Sequence, residues 1–344
     1  MEIEIIAIIA AIAGILISIK IVPSIATFSK FSYSNAKFSA IPNTFLKEKE
    51  ISRLLESKGI DELKNNVVSR DFILKGESIK EIQNSIDKSL IKIIKMARND
   101  SPKKVAEFYD AYMKKIDSYT IKDVIIAIKE SREIENKAIL EENREMIEKI
   151  KQEREKAGEI LEEYGWKIDL TKPIEEIERD VEIKAISFLE KAKLPSSSKK
   201  ARDRFVKSLI DILNLKAILR GKYYNMDIYL YGEGWELPIW KLKELIKIEE
   251  IEEIISMIEG TSYFGPLKNA ITDFEKEGVM ALEKALDKHL LEVARQIAND
   301  NPLGIGPGIR FLVEKEFEAR NLKAVVKAIG EQMPEIAKKL VVVE

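Results

Sequence analysis

The 344-residue sequence predicts an all-α protein made of three related helical lobes behind an N-terminal apolar helix. Three observations predict this. Past Phe28, apolar residues recur every three or four positions almost everywhere and alternating β-branched runs are rare, which is the period of a helix and not of a strand. One amphipathic segment occurs three times. The composition, 45% apolar and 34% charged, buries a core large enough for two or three domains. The order read from these signals is a leader over residues 1–30 and lobes over 31–130, 131–225 and 226–344.

The leader stands apart from the rest of the chain. Ile5 to Ile19 is uncharged, with eight isoleucines and one leucine. As a helix it spans roughly 22 Å, short of a ~30 Å hydrocarbon core, and Ile21 and Val22 lengthen it because Lys20 can snorkel. Glu2 and Glu4 precede the run where a cleaved signal peptide would carry basic residues, and Lys20, Lys30 and Lys37 follow it. The expectation is membrane contact through residues 5–22, with the bulk of the chain on the cytoplasmic side. A buried core helix or a misplaced start site are the alternatives.

Along the body, Ala138 to Tyr164 reads as one long helix with Ile147, Ile150, Ala157 and Leu161 on its apolar face, interrupted by Arg154. Breaks fall at Asp100-Ser101-Pro102, with Ser as cap and Pro as first helical residue, and at Gly165–Pro173. Further breaks fall at Leu194–Ser198, Tyr231–Pro238 and Gly260–Pro266.

The repeat aligns without gaps on Ile121, Leu215 and Leu322. Four positions earlier stands an acid: Asp117, Asp211, Glu318. Immediately before the anchor is a residue able to cap a helix: Thr120, Asn214, Asn321. Immediately after it is Lys122, Lys216 or Lys323, and six positions on a small residue, Ala127, Gly221 or Ala328. Chance alignment of amphipathic helices supplies shared apolar columns but not matched acid, lysine and small columns. The whole stripe fits one helical face that continues past a polar interruption, with the small column allowing close approach.

At these residues the sequence resembles the C subunit of the central stalk of archaeal-type rotary ATP synthases, the counterpart of the d subunit in eukaryotic vacuolar ATPases. The matching stretches are YSNAKFSAI (from Tyr33), NLKAILRGKYYN (from Asn214), EGTSYFGPLKNAI (from Glu259) and PLGIGPGIRFLVEKEFEARNLKAV (from Pro302). The resemblance implies a funnel of three lobes about a pseudo-threefold axis that joins the membrane rotor ring to the shaft subunits, one copy per complex, without catalysis or nucleotide binding of its own. It implies ATP synthesis and ion transport as the process, at the cell membrane. A long apolar leader departs from the family's pattern; by analogy it enters lipid or the ring's central opening. The alternative reading is a membrane-tethered helical scaffold.

Chemistry is otherwise sparse. Cysteine is absent, which excludes disulfides and thiolate chemistry, and His289 is the lone histidine, too few for a multi-histidine metal site. No GxxxxGK[ST] occurs, and the Gly304, Gly306, Gly308 loop has no following Lys-Ser and contains Pro307, so it reads as an inter-helix turn. His289 lies beside an apolar column without a nucleophile motif and reads as a surface or packing residue. The basic run Lys199, Lys200, Arg202, Arg204, Lys207 and the mixed Arg220, Lys222, Tyr223, Tyr224 sit in a chain of net charge −2, against nucleic-acid binding. No catalytic, cofactor or metal residue is assigned.

Overall fold

The computed structural model describes residue 29 and residues 31–343; the apolar leader over residues 5–22 lies outside the described residues. Within them every regular element is a helix. Helix α1 (31–40) leads to α2 (Glu48–Leu55) and α3 (Ile60–Asn66), then to the long antiparallel pair α4 (Ile79–Asp100) and α5 (Ala106–Lys129). Two shorter helices, α6 (Glu141–Gln152) and α7 (Ala157–Glu163), connect to a second pair, α8 (Ile174–Lys191) and α9 (Ser196–Tyr224). Four short ones follow, α10 (Ile239–Leu245), α11 (Ile251–Met257), α12 (Phe264–Asn269) and α13 (Ile271–Glu277). The third pair is α14 (Val279–Asp300) and α15 (Gly306–Gly330), and α16 (Pro334–Leu340) is the last helix.

The three hairpins contact one another in a closed cycle: α5 packs on α8, α9 on α14, and α15 back on α4. Local sequence supports each long helix. Ser78 opens α4 with a reciprocal cap, its Oγ accepting the Glu81 N–H at 3.2 Å while the Glu81 carboxylate accepts the N–H groups of Ser78 and Glu77. These donors hold the exposed Glu81 carboxyl below its ordinary pKa. Beyond that cap, Ile82, Ile86, Leu90, Ile94 and Ala97 fall at helical spacing and are all buried. Most of the apolar interior is one continuous core. A second, separate core gathers Ile121, Val124, Ile125, Met146, Ile147, Ile150, Leu161 and Val181 under α6 and α7.

The structure differs from three local expectations. The stretch 138–164 is not one helix: Glu153 leaves helical geometry at φ −129°, ψ 61° and splits α6 from α7. The reason is Arg154, whose guanidinium turns back to donate to the carbonyls of Ala127, Ile128 and Arg132 and so satisfies the C-terminal end of α5. Ser101 and Pro102 do not open a helix, since Ser101 ends α4 and α5 starts at Ala106 after one 3-10 turn. Thr120, Asn214 and Asn321 are not caps either, because each lies inside a single unbroken helix. The continuous helical face read across the repeat is what those helices present.

The glycine loop is a packing device. A Cβ on Gly306 would stand 2.6 Å from the Ile297 carbonyl and 2.8 Å from that of Asn301, so only glycine lets α15 start directly against the end of α14. Gly306→Ala is expected to destabilise the chain by about 1–3 kcal/mol through this overpacking, read as a lowered denaturation midpoint with unchanged helical circular dichroism at low temperature.

Candidate functional site

The repeated polar columns are the joints of the fold. Asp117 on α5 accepts the N–H groups of Ile139 (3.1 Å) and Leu140 (3.1 Å), just ahead of α6, and the Asn143 side-chain amide at 2.8 Å. Asp211 on α9 accepts N–H groups from Trp235 (2.8 Å), Glu236 (2.8 Å) and Leu237 (3.3 Å) and the Tyr263 hydroxyl at 3.0 Å. Glu318 on α15 accepts the Phe45 N–H at 2.8 Å and the ammonium of Lys315 at 2.7 Å. In all three the carboxylate sits halfway along a long helix and fixes the loop that crosses it. The crossing is tight at Asp211: a Cβ on Gly234 would lie 1.7 Å from its Oδ1, so that loop needs glycine there.

The neighbouring column does parallel work. Asn214 accepts the Tyr231 N–H at 2.7 Å and donates to the Gly232 carbonyl at 2.8 Å. Asn321 clasps two distant segments, donating to the carbonyls of Phe45 (2.8 Å) and Val342 (2.7 Å) and accepting the Val342 N–H at 2.9 Å. Thr120, too short for this, donates to Asp117 at 3.3 Å. Burial pushes the carboxyl groups of Asp117 and Glu318 above their ordinary values, and that of Asp211 up to about 6, against the pull of its four donors.

The lysine column closes the cycle. Lys122 faces Glu182 on α8 at 3.6 Å, Lys216 pairs with Asp287 on α14 at 2.7 Å, and Lys323 pairs with Asp87 on α4 at 2.8 Å. Each ties the second helix of one hairpin to the first helix of the next.

Lys122 and Lys216 of this column line a cavity of about 370 Å³ enclosed by α5, α8, α9, α14 and α15. Toward the hairpin loops it is floored by Tyr112 stacked on Phe205, ring centroids 6.2 Å apart, with Phe108 edge-on beneath. Above that floor the wall is charged. Glu316 receives the Lys115 ammonium at 2.7 Å and the Tyr112 hydroxyl at 2.5 Å. Burial alone would raise its carboxyl pKa, but the Lys115 charge and these donors outweigh it and hold the group below its usual value. Asp287 is likewise kept ionised against its burial by Arg320 at 2.9 Å and Lys216. Tyr119 projects into the space with 56% of its surface accessible. Sequence reasoning missed Glu316, Arg320, Asp287 and Tyr119. The signal was there in the spacing of Tyr112, Lys115, Tyr119 and Lys122 and of Glu316 and Arg320, a polar stripe along otherwise apolar helices.

The residues weighed for chemistry are not brought into a catalytic array. His289 is buried, edge-on to Tyr263, and its Nε2 lies 2.9 Å from Ser262 Oγ. That hydroxyl donates to Glu236 at 2.6 Å, so the imidazole must serve it as donor and not as base. Burial lowers the His289 pKa and keeps the ring neutral. Arg202 and Arg204 are committed to Asp203, the Ala192 carbonyl, Asp300 and Gln296. Arg220 is bidentate to Glu283. Among the described residues no cluster of metal-ligating side chains occurs.

Against known proteins, the family described as ATP synthase (C/AC39) subunit matches residues 34–339. The chain is 29% identical over 341 residues to the A-type ATP synthase C subunit of Methanothermobacter thermautotrophicus, covering 92% of this chain and 89% of that protein. It is 28% identical over 346 residues to the same protein of Methanocaldococcus jannaschii, covering 91% and 86%. With that of Thermococcus kodakarensis it shares 26% over 339 residues, covering 91% of each.

The Asp211 joint has a pH signature. Because its folded-state pKa is raised to about 6 from 3.8, the folded protein binds the proton more tightly, and this stabilisation is full at low pH and lost as pH rises between these values. Asp211→Asn should flatten that part of the stability–pH profile, since amide nitrogen and oxygen do not titrate. Asp211→Ala, leaving four donors without their acceptor, two of them buried, should cost about 3 kcal/mol at neutral pH. Urea titrations across the pH range check both.

Proposed function

This chain belongs to the ATP synthase (C/AC39) subunit family, and from that premise we propose that it is a non-catalytic central-stalk subunit of an archaeal-type ATP synthase. It is a socket that joins the membrane rotor ring to the shaft subunits, one copy per complex, so that ion flow and ATP turnover are coupled mechanically. The observation that carries the reading is the closed cycle of three helix hairpins around a polar cavity in a member of this family. The family match favours this over a membrane-tethered scaffold unrelated to a rotary enzyme.

In this reading the three sequence units, 31–130, 131–225 and 226–344, are copies of one lobe about a pseudo-threefold axis, forming a funnel. The equivalent roles of Lys122, Lys216 and Lys323, and of Asp117, Asp211 and Glu318, support it. The lobes interlock, because each long repeat helix is clasped by the loop of the next unit, and the last by the loop of the first. The cavity is the seat of the shaft: its wall is polar enough to meet a partner that must seat and release, and its charges are satisfied before the partner arrives. The chain holds no catalytic, cofactor or metal residue, and the enzyme is the whole complex. It sits at the membrane on the cytoplasmic side, peripheral through its body, with the leader over residues 5–22 as an anchor in lipid or in the ring's central opening. No helix among the described residues is long and apolar enough to cross a membrane.

Two outcomes test this. The tagged chain should co-purify with catalytic ATPase subunits and a membrane ring; recovery as a free membrane protein would sink the reading. Ala217→Trp, placing an indole inside the cavity wall of α9, should abolish association with the shaft subunits while the ring remains bound. Unchanged shaft binding in a folded variant would mean that the cavity is not the seat.

A further inference from the structure

We propose that the cavity is chemically one-sided and seats its partner in a single rotational register, an apolar face of the partner lying on α9 and a carboxylate of the partner meeting Arg320 and Tyr119. This deepens the stalk-subunit reading and rests on it for the identity of the partner, the end of the shaft. The repeat itself exposes the asymmetry. The columns that build the frame match in kind in all three copies, the acid of Asp117, Asp211 and Glu318 and the lysine of Lys122, Lys216 and Lys323. The columns that face the cavity do not. Two positions before the anchors Ile121, Leu215 and Leu322 stand Tyr119, Leu213 and Arg320, six positions before them stand Lys115, Leu209 and Glu316, and all of these line the cavity. On each helix the two lie four residues apart and so share a face. Helix α9 therefore lines the space with two leucines where α5 and α15 line it with charged or hydroxylic groups. Ala217 continues the apolar stripe by one more turn, and Ile186 of α8 and Leu290 of α14 flank it. Leu213 is only half-buried, so a partner that covers it with apolar surface gains by doing so.

The rest of the wall carries a charge imbalance. Lys115, Lys122, Lys216, Arg220 and Arg320 line the cavity, and Lys323 lines a recess that adjoins it through Tyr119 and Arg320. Their carboxylate partners are Glu316, Glu182, Asp287, Glu283 and Asp87, one fewer, because Asp287 receives both Lys216 at 2.7 Å and Arg320 at 2.9 Å. Every cation is paired, yet one positive charge is in surplus. Of the two that share Asp287, the Lys216 side chain is 15% accessible and that of Arg320 43%, so Arg320 is the one an incoming carboxylate reaches. Burial lowers the pKa of Lys216, and the Arg320 charge pushes the same way while Asp287 pulls against both. Beside Arg320, the exposed Tyr119 ring stands between the ammonium groups of Lys122 and Lys323, 5.6 Å and 5.9 Å from its centroid. A carboxylate docked there meets a guanidinium, two ammonium groups and a phenolic donor.

These two walls select an amphipathic segment. A uniformly acidic partner would bury carboxylates against Leu209 and Leu213, and a uniformly apolar one would cover the cations without answering their charge, each at the cost of desolvating an unpaired group. A segment with an apolar stripe on one face and a carboxylate on another satisfies both walls in one of the three rotations that equivalent helices would otherwise allow. Turned by a third of a revolution either way, its stripe would meet Lys115 and Tyr119 or Glu316 and Arg320. The wrong registers are thus penalised as well as the right one favoured.

The chain contains no cysteine, so single cysteines can carry a photo-crosslinker in the assembled complex. D123C and A324C place it one turn beyond Tyr119 and Arg320, at equivalent positions of α5 and α15 and away from the groups that read the partner. Mapped by mass spectrometry, the two should capture separate sets of shaft positions, with the acidic face at residue 324. One mixed set shared by both overturns the single register and leaves the stalk reading standing. A complex that keeps the shaft but gives cross-links only to the ring or to a second copy, or none, overturns the seat and this proposal with it. Affinity for the shaft subunits provides the second measurement. Arg320→Gln should lower it about 10-fold at low salt and lessen its salt dependence, Arg320→Lys should restore that dependence, and Leu213→Gln should lower affinity about 10-fold at every salt concentration. Unchanged salt dependence in Arg320→Gln, with helical circular dichroism intact, overturns the proposal.

Discussion

A carboxylate buried halfway along a long helix is the constraint from which the rest of this structure follows. Removing such a group from water costs several kcal/mol unless donors converge on it, and its own helix offers no backbone N–H, since the helical N–H groups are spent on carbonyls. Backbone from elsewhere must come to it. At Asp117 the donors are Ile139 and Leu140, at Asp211 Trp235 through Leu237, and at Glu318 Phe45. Two of these loops run straight into a helix, α6 after Leu140 and α10 after Pro238, so the carboxylate lies near a helix N-terminus with its exposed N–H groups and positive dipole end. One residue therefore fixes where the chain turns back and in which direction it resumes.

The third joint differs from the others in a way that explains how the cycle closes. Asp117 and Asp211 hold backbone that follows them by 23 and 25 residues, at Leu140 and Glu236, whereas Glu318 draws its backbone donor from 273 residues earlier. That segment precedes the first hairpin: Phe45 donates to Glu318, and Asn321 holds Phe45 and Val342 together. Closure brings one extra charge, since Lys315 is wholly buried between Asp71, Glu318 and the Pro42 carbonyl. That ammonium ties together segments more than two hundred residues apart, which costs more loop entropy than the local joints, and an ion-paired cluster offsets some of it.

Much of this was legible in the sequence, and the omissions have physical causes. Helical periodicity marked the class, and the matched columns marked residues that turned out to be joints, although their contacts run to other stretches of the chain and not within one copy of the repeat. The function assigned to the Asn column was wrong because a cap and a mid-helix clasp use the same side-chain chemistry: Asn214 and Asn321 do satisfy backbone groups, but on a neighbouring loop instead of their own helix. The break at Glu153 was hidden because the apolar face of Ala138–Tyr164 is continuous across it, and what ends α6 is the demand of distant carbonyls on Arg154. The cavity was invisible because residues such as Arg320 and Asp287 lie on separate helices far apart in sequence, and only the closed cycle brings them within 2.9 Å.

The cavity wall and the joints place opposite demands on charge. A joint uses a carboxylate to stop movement, so its donors are backbone groups that cannot swing away. The wall pairs flexible side chains, Arg320 with Asp287 and Lys115 with Glu316, whose charged ends can change rotamer where a backbone donor cannot. A body that carries torque needs both properties at once, a frame that holds its shape and a lining that can regroup. Here they are separated along the same helices by a few residues: Asp117 is fixed on α5 while Tyr119 and Lys122 face the cavity, and Glu318 is fixed on α15 while Glu316 and Arg320 face it. One turn of helix carries the polarity from frame to lining, which is why the repeat needs its acid and its cavity residues in that register.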